Sequence, residues 1–443
     1  MIKKALYLIA SIIAIIFTVG YFRYNPTVNY ANKIPVSADK IIRINLRELE
    51  FCAIKSFIKH PFSFFENTNT SRSKEKKLTL LNCVTIPSDV FFFSCPGNLK
   101  NTWISSRVQI KNKQKLEQFF NQQQALKNQY KNNTYYTHNN STYLVQENEL
   151  IVLLSKDKVA VEAVLNSVVN TEEFLPESHN LIKELKKEDA VLTAVTKKEG
   201  SIQLYIEDRK LKADGTLGEY EELFLSYNAI STSNAIINVS GKLNPHKTIA
   251  LLDKQQQDKL KKLTTLSLDS LANFWNGEVN ITVASLEKKQ DTIITYEYDD
   301  DFNKIEKKQL QTSSIPVSAT MLKGERMYDY LLEKEVVKQV EEEMILTINP
   351  FFKTTVKKIP DGIVLHSGNY KESSILKREM NEVKFKATVD VEKLQQVYTF
   401  KNKFLTSLKK GIVSIKSDNK FSAEIEFKNN SKGVAFELLS LVN

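Results

Sequence analysis

A serine three residues ahead of a lysine is the spacing by which penicillin-recognising enzymes set a base beside a nucleophile, and Ser-Asp-Asn is their second motif. This chain holds both, as Ser56-Phe57-Ile58-Lys59 and Ser417-Asp418-Asn419. The third motif would be Lys-Thr/Ser-Gly, and only Ser431-Lys432-Gly433 occurs, in the wrong order. Ser-x-x-Lys also recurs at Ser71, Ser374 and Ser407, as expected in a chain rich in both residues. Asp418-Asn419 reads equally well as a two-residue hairpin loop that accepts φ > 0. No catalytic residue is assigned, and the chain is not expected to be an enzyme.

Metal and cofactor chemistry fare no better. Asp299, Asp301 and Asn303 mimic the first three ligand positions of a calcium loop. The sixth position is Lys304 where glycine makes the sharp turn, and the twelfth is Leu310 where a bidentate glutamate is needed. An acidic surface turn is the better reading. His60, His138, His179, His246 and His366 are far apart, with no paired-ligand spacing, and read as surface or capping residues. There is no Walker loop, no G-x-G-x-x-G and no G-x-S-x-G elbow, and 12 glycines in 443 residues leave little material for phosphate cradles. Asp214-Gly215, Gly277 and Asp361-Gly362 read as turns. No cofactor and no metal is expected.

Cys52, Cys83 and Cys95 form no C-x-x-C. Cys83 and Cys95 flank the turn Ile86–Asp89 and could face each other across a hairpin in an oxidising compartment. The alternative is buried free thiols, the commoner state of such residues. Phe91-Phe92-Phe93 reads as a strand buried on both faces. Phe62-Ser63-Phe64-Phe65 reads as core, with an exposed interaction patch as the alternative.

Several segments repeat one pattern, an alternating strand leading through a polar corner into an amphipathic helix. Lys40–Leu46 leads into Glu48–Lys59. Ser106–Ile110 leads into Lys113–Gln123, where Leu116, Phe119 and Phe120 share a face. Leu150–Leu154 leads into Ser155–Val169, with Ser155 as N-cap. Ile236–Ser240 leads into His246–Leu252 behind Pro245, and Val383–Val389 into Val391–Phe400. Hairpins join Thr142–Gln146 to Leu150–Leu154 and Ile412–Ser417 to Lys420–Lys428. Further helices are expected at Lys323–Lys338 and Val434–Val442. Asn67–Lys77 and Asp299–Gln311 read as polar loops. Ile34-Pro35-Val36-Ser37-Ala38 recurs as Ile315-Pro316-Val317-Ser318-Ala319, which marks either two related halves with a boundary near 313 or a chance match.

Residues 5–22 are an uninterrupted apolar run behind Lys3-Lys4. Eighteen helical residues span about 27 Å, close to a bilayer core. The positive residues before the run predict an N-terminus in the cytoplasm and the bulk outside it. A cleaved signal peptide is the competing reading. Lys and Arg exceed Asp and Glu by 10, about seven without Lys3, Lys4 and Arg23. The lysines are scattered and often alternate with acids, and no basic-aromatic motif appears, so nucleic acid is not an expected partner. A basic surface could lie against anionic lipid.

With these units placed, the chain resembles an uncharacterised family of bacterial envelope proteins with an N-terminal membrane anchor. The resemblance rests on IPVSADKIIRINLREL at 34–49, on Phe274-Trp275-Asn276-Gly277-Glu278-Val279 and on FSAEIEFKNNSKGVAFELLSL at 421–441. It implies export and an α+β body, and supplies no site residues.

The sequence therefore predicts an α+β protein with mixed or antiparallel sheets, amphipathic helices on one face, and one N-terminal transmembrane helix. The expected organisation is an anchor over 1–23, a tether over 24–33 and units over 34–312 and 313–443. The expected place is the bacterial inner membrane, single-pass, reached through Ala5 to Phe22, with the bulk in the periplasm. The expected role is non-catalytic binding or scaffolding with an envelope protein or lipid partner. Lipid or lipoprotein handling is the alternative.

Overall fold

The computed structural model describes residues 34–59, 78–95, 103–155, 161–169, 173–186, 189–198, 200–230, 235–264, 266–298, 304–349, 352–370, 383–397, 400, 402–428 and 434. These form two compact units, one up to Gly218 together with Val434, the other within Glu219–Lys428.

Unit 1 holds ten strands: β1 (Lys40–Asn45), β2 (Asp89–Ser94), β3 (Trp103–Gln109), β4 (Leu126–Tyr130), β5 (Asn133–His138), β6 (Ser141–Gln146), β7 (Glu149–Ser155), β8 (Leu192–Thr196), β9 (Gly200–Ile206) and β10 (Lys210–Thr216). Their pairings, all antiparallel, run in the order β4-β5-β6-β7-β3-β2-β1-β8-β9-β10. Its helices are α1 (Leu46–Lys59), α2 (Lys113–Gln122), α3 (Val161–Val169) and α4 (Asn180–Leu185).

Strand alternation in unit 1 serves two cores. Ile151 and Leu153 of β7 point into a cluster with Val164, Leu165 and Val168 of α3 and Ile182 and Leu185 of α4. Leu150 and Val152 point the other way, towards Leu116 and Phe120 of α2. Phe120 stacks on Tyr136 of β5 at 4.2 Å between ring centroids. Fully burying one such side chain contributes about 1.5–3 kcal/mol.

Unit 2 repeats the same strand order. Its strands are β11 (Ile237–Lys242), β12 (Glu278–Tyr298), β13 (Lys304–Lys323), β14 (Val337–Val340), β15 (Glu343–Leu346), β16 (Thr354–Ile359), β17 (Gly362–Ser367), β18 (Val383–Asp390), β19 (Leu408–Lys416) and β20 (Lys420–Phe427). They pair as β14-β15-β16-β17-β13-β12-β11-β18-β19-β20, again all antiparallel. Each strand thus takes the place of the one ten earlier in unit 1. Between them lie α5 (Pro245–Ala250), α6 (Lys254–Thr264), α7 (Leu268–Phe274), α8 (Met327–Glu333), α9 (Val391–Val397) and α10 (Lys403–Ser407). The main core gathers Leu271 and Phe274 of α7, Met327, Tyr330 and Leu331 of α8, and Val356 and Ile363 of the sheet.

Three expectations are corrected. The architecture is dominated by antiparallel sheet, every pairing described above being antiparallel, with helices on both faces of unit 1. Amphipathic helices layered on one face of mixed sheets are not what forms. The helical periodicities were local, and many belong to short connectors of five to seven residues. The boundary lies at Gly218/Glu219, and position 313 falls inside β13. The recurring pentapeptide precedes β1 in one copy and lies within β13 in the other, so it does not mark equivalent positions. The expected single-pass inner-membrane placement is withdrawn. Residues 5–22 lie outside the described residues, and among those described no helix is long and apolar enough to cross a membrane. The longest, the 14-residue α1, would reach about 21 Å and carries five charged residues.

Phe62–Phe65, Asn67–Lys77, Asp299–Asn303 and Ser431–Gly433 also lie outside the described residues, as does all of the expected last helix except Val434.

Candidate functional site

The Ser-x-x-Lys motif sits on α1. Asn45 starts this helix, its side chain accepting from the Glu48 backbone N–H at 2.9 Å. Cys52, Ser56 and Lys59 follow at i, i+4 and i+7 and share a helix face. Opposite them is the end of β9, and together with Lys55, Ile206, Glu207 and Asp208 they line a cleft of about 280 Å³. Sequence reasoning missed the acidic side of this cleft, because Glu207 and Asp208 belong to a tight turn without a motif. That turn is closed by the Glu207 N–H donating to Lys210 O at 2.8 Å.

The chemistry of the cleft is that of a neutralised surface. The Lys59 ammonium pairs with Asp208 at 3.4 Å, Lys212 with Glu207 at 2.6 Å and Lys55 with Glu48 at 3.8 Å. An ammonium held by a carboxylate is a donor and offers a neighbouring serine no base. The Cys52 thiol donates to Ile206 O at 3.5 Å and to Glu48 Oε1 at 3.6 Å. Burial, then the Glu48 charge, push it up to about 12. It is a protonated thiol at neutral pH, poor as nucleophile or metal ligand.

The other half of the motif pair belongs to unit 2. Asp418-Asn419 is the turn between β19 and β20, with Asn419 at φ 61°. Its amide accepts from Lys384 Nζ at 2.6 Å and donates to Glu221 Oε2 at 2.9 Å, while Asp418 holds Lys420 at 2.7 Å. The lysine pulls the Asp418 carboxyl below the usual carboxylate range. These are hairpin-fixing roles.

The remaining candidates fall into structural places. Cys52, Cys83 and Cys95 are free thiols. Cys83 belongs to the α2-side core of unit 1, and Cys95 packs against the α3-side core, so they do not face each other. Phe91 and Phe93 enter the α3-side core, and Phe92 is half-buried. His179 caps α4, accepting from the Leu181 N–H at 3.3 Å. Gly215 lies within β10 instead of in a turn. Among the described residues no cluster of His, Cys, Asp and Glu could hold a metal ion.

Two features of unit 2 had no sequence signal. The first is a buried polar layer on β11 and β12. Ser240 and Asn280 stand opposite each other, as do Asn238 and Thr282, and all four side chains are buried. Ser240 Oγ donates to Asn280 Oδ1 at 2.6 Å and accepts from the Ile230 N–H at 2.7 Å. Asn280 Nδ2 donates to the Tyr227 hydroxyl at 3.2 Å. Burial is the main cause that raises the Tyr227 phenol, so it stays protonated. The chain around Tyr227–Ile230 covers what alternation presents as a wet face.

The second is a ribbon. β12 pairs with β11 only over Glu278–Val283, and β13 with β17 only over Ser318–Lys323. β12 and β13 nonetheless pair with each other from Val279↔Leu322 to Tyr298↔Lys304. Glu287–Tyr298 and Lys304–Ile315 are therefore a two-stranded extension, about 40 Å long at about 3.4 Å per residue. Neighbours Lys288 and Lys289 are both exposed, as are Glu306 and Lys307. Leu310 is 73% exposed. Among the described residues no third strand pairs with either outer edge.

No protein-family model matches this chain, and no curated protein does. Among solved structures it is similar to crystal form I of TP0453, at 10% identity and TM-score 0.23, over 77% of this chain and 93% of that one. Crystal form III of TP0453 gives 9%, 0.23, 78% and 94%. A likeness at that level carries no argument about fold or function.

Proposed function

We propose that this protein is a non-catalytic binding or scaffolding protein and that the β12–β13 ribbon is its binding element. One observation carries the reading: a strand pair with no third strand on either outer edge, among the described residues, leaves two rows of backbone donors and acceptors open, the requirement for recognition by strand addition. The neutralised cleft on α1 supports the non-catalytic half. The test is photo-crosslinking from position 310 in living cells. A discrete crosslinked protein species from position 310, absent from a control position at Leu126, is the expected result. Turnover of an ester or amide probe by the purified protein, lost in Ser56→Ala, would overturn it.

Lipid handling is a second reading, favoured by α6. This helix carries Lys254, Lys259, Lys261 and Lys262, all exposed, beside exposed Leu260. A basic helix with apolar residues can lie on an anionic surface. Flotation with anionic vesicles, lost when these four lysines are changed to glutamine, would support it. Equal flotation of native chain and variant would remove it.

A further inference from the structure

We propose that the outer edge of the β12 ribbon pairs antiparallel with the same edge of a second copy of this chain, about a two-fold axis at Ile293. The inference rests on the reading of the ribbon as a binding element, and names its partner.

Three observations lead there. First, an isolated two-stranded hairpin is marginal in water, whereas three or more strands are self-supporting. This ribbon runs some 12 residue pairs beyond its sheet, and pairing of two copies makes it four-stranded. Second, its outer half contains Thr292-Ile293-Ile294-Thr295-Tyr296, a run of strong strand formers. Opposite Thr292 stands Leu310, openly exposed. Third, the charges along β12 select a register. Centring the two-fold on residue 289 or 291 sets like charges face to face at the axis. Centring on 292 opposes Glu287 to Glu297, and centring on 294 opposes Asp291 to Glu297. Centring on 293 opposes Lys289 to Glu297 twice, once on each side of the axis, and sets Ile293 against Ile293 and Thr292 against Ile294. Over Lys288–Tyr298 no like charges meet in that register, and β-branched pairs occupy its middle, the combination that stabilises cross-strand neighbours. Centring on 290 also brings unlike charges together, Lys289 with Asp291, but leaves Thr295–Tyr298 largely without partners. The edge charges that guard the ribbon against indiscriminate pairing thus admit its own copy.

At the axis, opposing backbone positions would lie about 4.5–5.5 Å apart, within disulfide reach. The experiment uses the full chain carrying Ile293→Cys, oxidised with diamide, with the native chain and its three cysteines as control. A covalent dimer reversed by dithiothreitol is expected from Ile293→Cys alone. Adding Lys289→Glu should lower its yield at least tenfold, and adding Glu297→Lys to that variant should restore it. The restoration shows that loss is not misfolding. A monomer throughout, or a dimer insensitive to both charge changes, would overturn the proposal. A monomeric Ile293→Cys chain whose position 310 still crosslinks a different protein would sink self-pairing and leave the binding reading standing. No crosslink from either position would sink both.

Discussion

Arg43 and Asp89 form an ion pair inside unit 1, at 4% and 6% exposure, on the paired strands β1 and β2. Ser240 and Asn280 occupy the corresponding strand pair in unit 2, β11 and β12. Each repeat thus buries a polar crosslink between its first two strands. In unit 1 the crosslink is reinforced: Arg43 Nη1 also donates to Leu185 O at 2.7 Å, and Ser88 Oγ donates to Asp89 Oδ2 at 2.7 Å.

Breaking that pair from one side should cost more than removing it. Asp89→Ala leaves a buried guanidinium without its carboxylate and should destabilise unit 1 by about 3–5 kcal/mol. Arg43→Met with Asp89→Leu should cost clearly less. Urea unfolding of the native chain and both variants measures the order.

In unit 2 the order of two substitutions follows from hydrogen-bond bookkeeping. Ser240→Ala strands the Ile230 N–H, at about 1–3 kcal/mol for a buried group left unpaired, and leaves the Asn280 carbonyl only the long 3.5 Å contact from the Tyr227 hydroxyl. Tyr227→Phe removes a half-buried hydroxyl that accepts from Asn280 Nδ2 and donates to Glu278 Oε1 at 3.3 Å, a place where water can replace it. Thermal unfolding should therefore show the larger loss for Ser240→Ala.

The Cys52 thiol makes a pH prediction. Its folded value is raised to about 12, above an ordinary thiol. Its stabilising contribution is thus complete below about pH 8.5. It is lost as the pH rises from there through 12, when the unfolded chain ionises first. Iodoacetamide should label Cys52 slowly at pH 8 and progressively faster above pH 10. Fast labelling at pH 8, followed by peptide mass mapping, would contradict the buried thiol.

The corner before β12 should tolerate no side chain. Gly277 has φ 92°, and a Cβ there would collide with the Leu243 carbonyl, whose own residue accepts the corner by donating Leu243 N–H to Gly277 O at 2.9 Å. Gly277→Ala should lower the melting temperature of unit 2, whereas Gly411→Ala, which meets only a Val389 methyl, should be much milder.

What could be read in the sequence was what lies against a core. The helix expected over Lys113–Gln123 forms over Lys113–Gln122, because Leu116 and Phe120 are buried at helical spacing. The hairpin at Asp418-Asn419 forms as expected for a different reason, sequence alternation beside a turn that accepts φ > 0. The ribbon left no such trace. Asp299–Gln311 reads as a polar loop, yet β13 begins at Lys304, because a run as polar as KIEKKQLQ has too little period-two pattern to display. Lys323–Lys338 reads as one helix, but the helix stops at Glu333 and Glu335 turns at φ 56° into β14. Val336 and Val337 continue the apolar count across that break, so periodicity cannot see it. The α1 cleft was half legible: Ser56 and Lys59 share a helix face by spacing, while Asp208, which claims the lysine, arrives from a turn about 150 residues later.

Unit 2 is one unbroken stretch of chain, and unit 1 is not. The Val434 N–H donates to Asp208 O at 3.2 Å, so a residue from beyond unit 2 returns to the turn that borders the α1 cleft. A ribosome must make all of Glu219–Lys428, about 210 residues, before that residue exists. At about 5–20 residues per second this is a delay of about 10–40 s. The second repeat can close as soon as it is delivered. The first waits for Val434, whose N–H closes on the turn at Asp208 that borders its cleft.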